Sequence, residues 1–210
     1  MDCNNDKNNK IENIGIMGGT FDPVHYGHVG LAVSAKDELL LDKVIIIPAF
    51  IQPFKRYKNI TSDVHRLSML EMAFSDKDGI EISTWEIERG GISYTYDTLS
   101  YFNSIHQDSK IWFIMGGDSL MKLENWHKGI ELLKSFSFAV GTRPMDDNSG
   151  LINKIEYLHE KYGTEIILIK KEMLPINSTM VREFLEEEKP ISGLVSPEVE
   201  NYIYENKLYI

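Results

Sequence analysis

Apolar positions along this chain fall into two rhythms. Short runs that are apolar at nearly every position occur at Ile11–Met17, Lys43–Pro48, Ile80–Ser83, Lys110–Met115, Ser135–Val140 and Glu165–Ile169. Runs of this kind are what strands buried on both faces look like. Between them the apolar residues return at the helical period. His28–Leu40 carries Leu31, Ala32, Ala35 and Leu39, and Asp63–Phe74 carries Leu67, Leu70 and Phe74. Tyr96–Ile105 carries Leu99 and Phe102, and Asn148–Tyr162 carries Leu151, Ile155 and Leu158. These spacings predict helices with one buried face each. Two more helices are predicted after the last strand, at Met180–Glu188 and Pro197–Tyr204. Strands alternating with helices predict an α/β fold: a doubly wound, mostly parallel sheet of about six strands, with right-handed crossovers, helices on both faces and a C-terminal helical segment.

Length and composition narrow this picture. The 210 residues suffice for one sizeable core and are few for two. Residues 1–10 are polar and rich in Asn and Lys, and read as a loose tail rather than a signal peptide. Residues 11–210 read as a single domain. Cys3, the only cysteine, lies in the tail, so no internal disulfide forms and a reducing, cytoplasmic setting fits. The longest apolar run, Val44–Ile47, is far too short to span a bilayer, so no membrane partner is expected. A net charge of −10 argues against a broad nucleic-acid footprint, which needs a basic face. A small phosphorylated ligand remains compatible, because it needs only a few local cations and backbone N–H groups. A homo-oligomer is also compatible with the sequence.

In open parallel sheets ligands bind beyond the carboxyl ends of the strands, so the loops there carry the chemistry. The first strand is followed by Gly18-Gly19-Thr20-Phe21-Asp22-Pro23-Val24-His25-Tyr26-Gly27-His28. Glycines let backbone approach a ligand closely. Pro23 delays the helix, and His28 is expected at or near its first turn, where free N–H groups and the dipole favour anions. The pattern matches neither a Walker loop nor a Gly-x-Gly-x-x-Gly dinucleotide loop. Two histidines there read, taken alone, first as structural caps or core residues, then as phosphate ligands, and least as a metal site with Asp22. No distant His or Cys cluster completes the metal reading. A second unusual loop is Pro175-Ile176-Asn177-Ser178-Thr179-Met180-Val181-Arg182. Its cap-forming residues, free N–H groups and Arg182 one turn in would cradle a triphosphate, though alone it reads as a well-capped amphipathic helix.

Taken together, Gly-Gly-Thr-Phe-Asp-Pro-Val-His-x-Gly-His and Asn-Ser-Thr-x-Val-Arg resemble the adenylyltransferase branch of the nucleotidyltransferase superfamily. Asn177 stands where that branch has Ser. Four further segments narrow the resemblance to bacterial nicotinate-nucleotide adenylyltransferases: His65–Leu70, Glu88–Leu99 with its Ser93-Tyr94-Thr95, Phe113–Leu120 and Leu123–Trp126. The C-terminal Val199–Ile203 with Leu208-Tyr209 fits as well, so the likeness covers nearly the whole chain after the tail. One departure stands out. Where the family often has Pro-Pro-His-Lys after the second strand, this chain has Gln52-Pro53-Phe54-Lys55.

The resemblance implies a Rossmann-like sheet and adenylyl transfer from ATP to nicotinate mononucleotide, giving nicotinate adenine dinucleotide and pyrophosphate. It implies Mg2+ accompanying ATP, with no metal site of the protein's own. By motif position, His25, His28 and Arg182 are the catalytic candidates. Gly18, Gly19, Thr20, Phe21, Lys55, Gly116, Asp118, Ser178 and Thr179 are expected around ATP, with Asp118 either on a ribose hydroxyl, capping a helix near Ser119, or both. Arg143-Pro144 would border the adenine or form a plain surface loop. Tyr94, Thr95 and Trp126 are expected around the nicotinate, Trp126 with core packing as an equal alternative. His106 and His159 read as solvent-exposed. The alternatives are a relative acting on nicotinamide mononucleotide or pantetheine phosphate, and a non-catalytic nucleotide-binding regulator.

Overall fold

The computed structural model describes residues 12–53, 60–142 and 149–210. The tail at 1–10, the start of the first strand, and Phe54, Lys55, Arg143 and Pro144 lie outside the described residues.

Six strands form one sheet: β1 (Glu12–Gly19), β2 (Lys43–Pro48), β3 (Ile80–Ile82), β4 (Ser109–Gly116), β5 (Ser137–Gly141) and β6 (Ile166–Leu168). Their order is β3-β2-β1-β4-β5-β6, and every adjacent pair is parallel. The order reverses between β1 and β4, which is where such sheets open a crevice at their carboxyl ends.

Strand residues alternate between two cores. From β1, β2 and β4, Ile14, Ile16, Ile45, Ile47, Ile111, Phe113 and Met115 enter one core. Met17, Val44, Ile46, Trp112 and Ile114 enter the other. This two-residue alternation, apolar on both sides, is why the strands read as unbroken apolar runs. The first core is covered by α4 (Thr95–Ile105), α6 (Gly129–Ser135) and α7 (Ser149–Tyr162). The second is covered by α1 (Tyr26–Glu38), α2 (Asp63–Phe74), α8 (Ser178–Glu186) and α9 (Pro197–Glu205).

Some boundaries differ from the sequence reading. β1 runs to Gly19 rather than Met17, because Gly18 and Gly19 stay paired with Ile47 and Pro48 of β2. α1 begins at Tyr26 rather than His28, and α8 at Ser178 rather than Met180. Both starts carry polar residues that apolar periodicity does not weigh. The short helix expected near Ser119 is present as α5 (Gly117–Leu120), but α3 (Trp85–Arg89), α6 and a 3-10 turn at Leu123–Asn125 carry no expectation from the sequence, since most span too few residues to display a period. In α2 the buried position is Arg66 rather than Leu67, which is only half-buried. His159 is exposed as read, but His106 is half-buried and its ring is parallel to that of Phe102. Among the described residues no helix is long and apolar enough to cross a membrane.

Candidate active site

The loop from β1 to α1 is folded back on itself. Phe21 adopts φ 50° and is 1% exposed. A Cβ on Gly19 would lie 2.9 Å from the Phe21 ring, so the second glycine is required by this fold-back. Phe21 also meets His28 edge-on at 5.0 Å between centroids. His25 is the N-cap residue of α1 in extended conformation, and His28 sits in the first helical turn. The two imidazoles stack with centroids 3.7 Å apart. A Cβ on Gly27 would press on the His25 ring at 3.0 Å and on the Ile176 carbonyl at 3.2 Å, so the glycine between the histidines lets them come together.

Most carbonyls of this loop are turned to donors elsewhere. Arg66, 2% exposed, donates from Nη1 to the Thr20 carbonyl at 2.8 Å and from Nε to the Thr61 carbonyl at 3.1 Å. Arg182 donates to the Asp22 carbonyl, and Ser178 Oγ to the Pro23 carbonyl at 2.9 Å. The Asp22 carboxylate accepts from Tyr209 Oη at 2.7 Å and from the Thr61 N–H at 3.4 Å. Burial, first, and the neighbouring Asp22 charge push the Tyr209 hydroxyl far above the ordinary tyrosine range, so it stays a donor. Burial pulls Arg66 down from its usual value, while Asp63 and Asp22 oppose that and keep it a cation.

A cavity of about 420 Å³ opens beside this loop at the carboxyl ends of β1 and β4. Gly18, His25, His28, Gly116, Asp118, Ser178, Thr179 and Arg182 line it together, so the two distant sequence motifs share one wall. The α8 N-terminus faces it, capped by Asn177, whose side chain accepts from the Met180 N–H at 2.9 Å. Thr179 Oγ1 accepts from Arg182 Nη2 at 3.3 Å. Asp118 lies inside the first turn of α5. Gly116 is the N-cap there, so Asp118 is not the capping residue. Thr20 and Phe21 do not line the cavity; they are buried in its supporting layer. Asp22 also lines the cavity, with its carboxylate held by Tyr209 Oη and the Thr61 N–H. Among the described residues no group of three His, Cys, Asp or Glu converges on a metal position.

A second cavity of about 150 Å³ adjoins the first, sharing Gly18, Phe113, Ser119 and Trp126 with it. Tyr94, Thr95, Trp126 and His127 line it. Thr95 opens α4 with Tyr94 as N-cap, so α4 presents free N–H groups here. Trp126 packs against the core and meets Phe113 edge-on at 6.4 Å, so it both packs and lines the slot. The Tyr94 ring lies 4.1 Å from that of His127.

Two carboxylates shape this slot. Glu86, 4% exposed, accepts from the Thr98 hydroxyl and is also bonded by Ser93. Burial raises its carboxyl above the usual range, although those two hydroxyls and Arg89 work the other way. Glu124 accepts from Lys154, then Tyr162 and Lys161, which hold its carboxyl down to about 2. It ties the turn before Trp126 to α7.

Sequence reasoning assigned no role to Arg66, Tyr209, Gln52, Glu86 or His127. Arg66 and Tyr209 lie in segments that carry the family resemblance, so a signal existed without a function attached. Nothing in the sequence pairs Glu86 with Thr98, because their contact depends on how α3 packs beside α4.

The parallel order and the switch-point cavity define the nucleotide-binding α/β class, and residues 16–184 match the family described as Cytidylyltransferase-like. A Clostridium botulinum protein named "Probable nicotinate-nucleotide adenylyltransferase" is 40% identical over 95% of this chain and 98% of its own length. A Clostridium beijerinckii protein of the same name is 38% identical over 95% of this chain and all of its own. The fold is also that of the Plasmodium falciparum nicotinic acid mononucleotide adenylyltransferase complexed with APC, with a TM-score of 0.75 and 21% identity, covering 94% of this chain and 97% of that one. The same Plasmodium falciparum enzyme complexed with NaAD is likewise similar, with a TM-score of 0.75 and 23% identity over the same shares of the two chains. This chain belongs to the nicotinate-nucleotide adenylyltransferase family within the cytidylyltransferase-like proteins.

Proposed function

We propose that the chain transfers the adenylyl group of ATP to nicotinate mononucleotide, releasing pyrophosphate and forming nicotinate adenine dinucleotide. The observation that carries this reading is the meeting of two unlike cavities at Gly18, Phe113, Ser119 and Trp126. One is lined by imidazoles, an Arg and a helix N-terminus, and suits a polyphosphate. The other is aromatic and flat-walled, and suits a pyridine ring. A ligand spanning both would have its phosphates at the junction.

The mononucleotide phosphate is ionised at neutral pH and is itself the nucleophile. Its oxygen forms the new bond to the α-phosphorus of ATP as the bond to the bridging oxygen breaks, and pyrophosphate leaves with that electron pair. No covalent protein intermediate and no general base is needed. The protein's task is alignment and charge stabilisation. His28, with His25 stacked on it, donates to the transferring phosphoryl group. Arg182, Ser178, Thr179 and Lys55 hold the triphosphate, with Gly18 and Gly116 as backbone walls, while Gly19 lines the smaller cavity. Asp118 accepts from a ribose hydroxyl. Thr20 and Phe21 serve from beneath, by holding the histidine loop. A divalent cation, Mg2+, bound with ATP would supply charge neutralisation to its phosphates. Tyr94 and Trp126 enclose the pyridine, and the N–H of Thr95 meets its carboxylate.

The test is a pyrophosphate-release assay with MgATP and each mononucleotide in turn. The expected result is higher kcat/KM with the acid. A preference of tenfold or more for the amide would overturn the substrate assignment, and no release with either would overturn the reaction. A second reading, a regulator that binds nucleotide without turnover, is excluded by any sustained release.

A further inference from the structure

We infer that Gln52 is a binding residue for the mononucleotide, its side-chain amide oxygen accepting a hydrogen bond from a ribose hydroxyl of that substrate. The inference rests on the proposed adenylyl transfer and adds a contact to it. Gln52 lines the smaller cavity alongside Tyr94, Thr95 and Trp126. Its Oε1 is buried and has no hydrogen-bond partner among the described residues. Buried acceptors are satisfied in nearly all native proteins, and because Gln52 lines this cavity, a bound ligand can supply the missing donor.

The backbone around Gln52 is held on both sides. Ile51 bridges to Ile92, its carbonyl accepts from the Ser93 N–H at 2.9 Å, and the Phe50 N–H donates to Ser93 Oγ at 3.0 Å. Ser93 in turn is tied to the buried Glu86. The amide is therefore carried on a fixed turn, bonded to the segment that leads into Tyr94 and Thr95.

An amide oxygen only accepts. The ionised phosphate and ring carboxylate of the acid mononucleotide also only accept, so its ribose hydroxyls are the donors it brings. Gln52 stands where related chains often have proline, which has no side-chain acceptor. The contact is thus a feature of this chain rather than of the family pattern.

The experiment measures KM for nicotinate mononucleotide and for its 2′-deoxy and 3′-deoxy analogues, in the wild type and in Gln52→Leu. Gln52→Leu raises KM for the natural mononucleotide about tenfold, as expected for one hydrogen bond completed on binding. KM for ATP and the melting temperature stay unchanged. One deoxy analogue shows the same loss in the wild type, and Gln52→Leu adds nothing further to it. Equal losses with natural and both deoxy substrates would mean that Gln52 only packs, and would overturn the inference. So would an unchanged KM. Nicotinamide mononucleotide, which shares the ribose, loses the same factor; an effect confined to the acid would move the contact to the ring carboxylate and overturn the ribose assignment. If the wild type prefers the amide, the substrate reading fails by itself, and the Gln52 effect is read with the amide substrate.

Discussion

The two cavities are built by opposite means. Around the large one, three carbonyls of the Thr20–Pro23 loop are satisfied by side chains of Arg66, Arg182 and Ser178. A carbonyl that already accepts a hydrogen bond presents less free negative charge, so the imidazoles and the α8 N-terminus dominate this wall. The donors come from α2 and α8, and the last clamp on Asp22 is Tyr209, the penultimate residue. The small cavity is instead walled by rings and held from behind by two carboxylates, Glu86 and Glu124. The loop beside the large cavity is braced by cations and a hydroxyl on its backbone. A slot that must hold a flat ring is braced through its side chains and turns.

This contrast predicts distinct failures. Substituting His28 by Ala removes a donor from the large cavity while leaving the brace intact. Turnover should fall by about 10²–10³ with an unchanged melting temperature; near-normal pyrophosphate release would refute the role of the histidine. Replacing Arg66 by Met strikes the brace instead. It strips the donors from the Thr20 and Thr61 carbonyls and leaves Asp22 without its buried counter-cation. A stability loss of about 3–5 kcal/mol in urea unfolding is expected, and a loss below about 1 kcal/mol would show that the loop holds itself. Trp126→Ala opens the slot and should raise KM for the mononucleotide roughly threefold to tenfold, with KM for ATP changing less. Equal changes in both would erase the division between the cavities.

The smallest effect concerns pH. The Glu86 carboxyl is raised above its ordinary value of 4.5, so between that value and the raised one the folded state binds more protons than the unfolded state. This contribution to stability is present at low pH and declines as pH rises through the raised value. Glu86→Gln keeps an acceptor for Thr98 and removes the titration. Unfolding free energies of the two proteins across pH 4 to 8 should therefore diverge in favour of the variant as pH rises. Parallel curves would mean that Glu86 does not carry the shift.

Much of the fold was legible because each strand is apolar on both faces and each long helix repeats its apolar positions. The reading lost ground where those signals are weak. Gly18 and Gly19 looked like loop because glycine disfavours strands, yet their backbone groups remain in the ladder with β2. The five-residue α3 is too short to display a period. His25, His28, Ser178, Thr179, Arg182, Tyr94, Thr95 and Trp126 were legible as motif residues, and the structure brings them to two adjoining cavities. Thr20 and Phe21 fell to the supporting layer, because Phe21 folds back over Gly19 and away from the cavity. Gln52 and Glu86 gave no sequence signal, since a buried acceptor and a buried acid are recognised only by what surrounds them.

The α/β alternation, the sheet that it builds and the motif set that marks the family are written in the order of residues along the chain. These depend on local periodicity and on residue types at fixed spacing. Folding in three dimensions sets which loop carbonyls are hydrogen-bonded by distant side chains, where a carboxyl is buried, and which groups line each cavity together. Those outcomes depend on contacts such as Asp22 with Tyr209, 187 positions apart, and such pairs exist only once the sheet has brought distant loops to one edge.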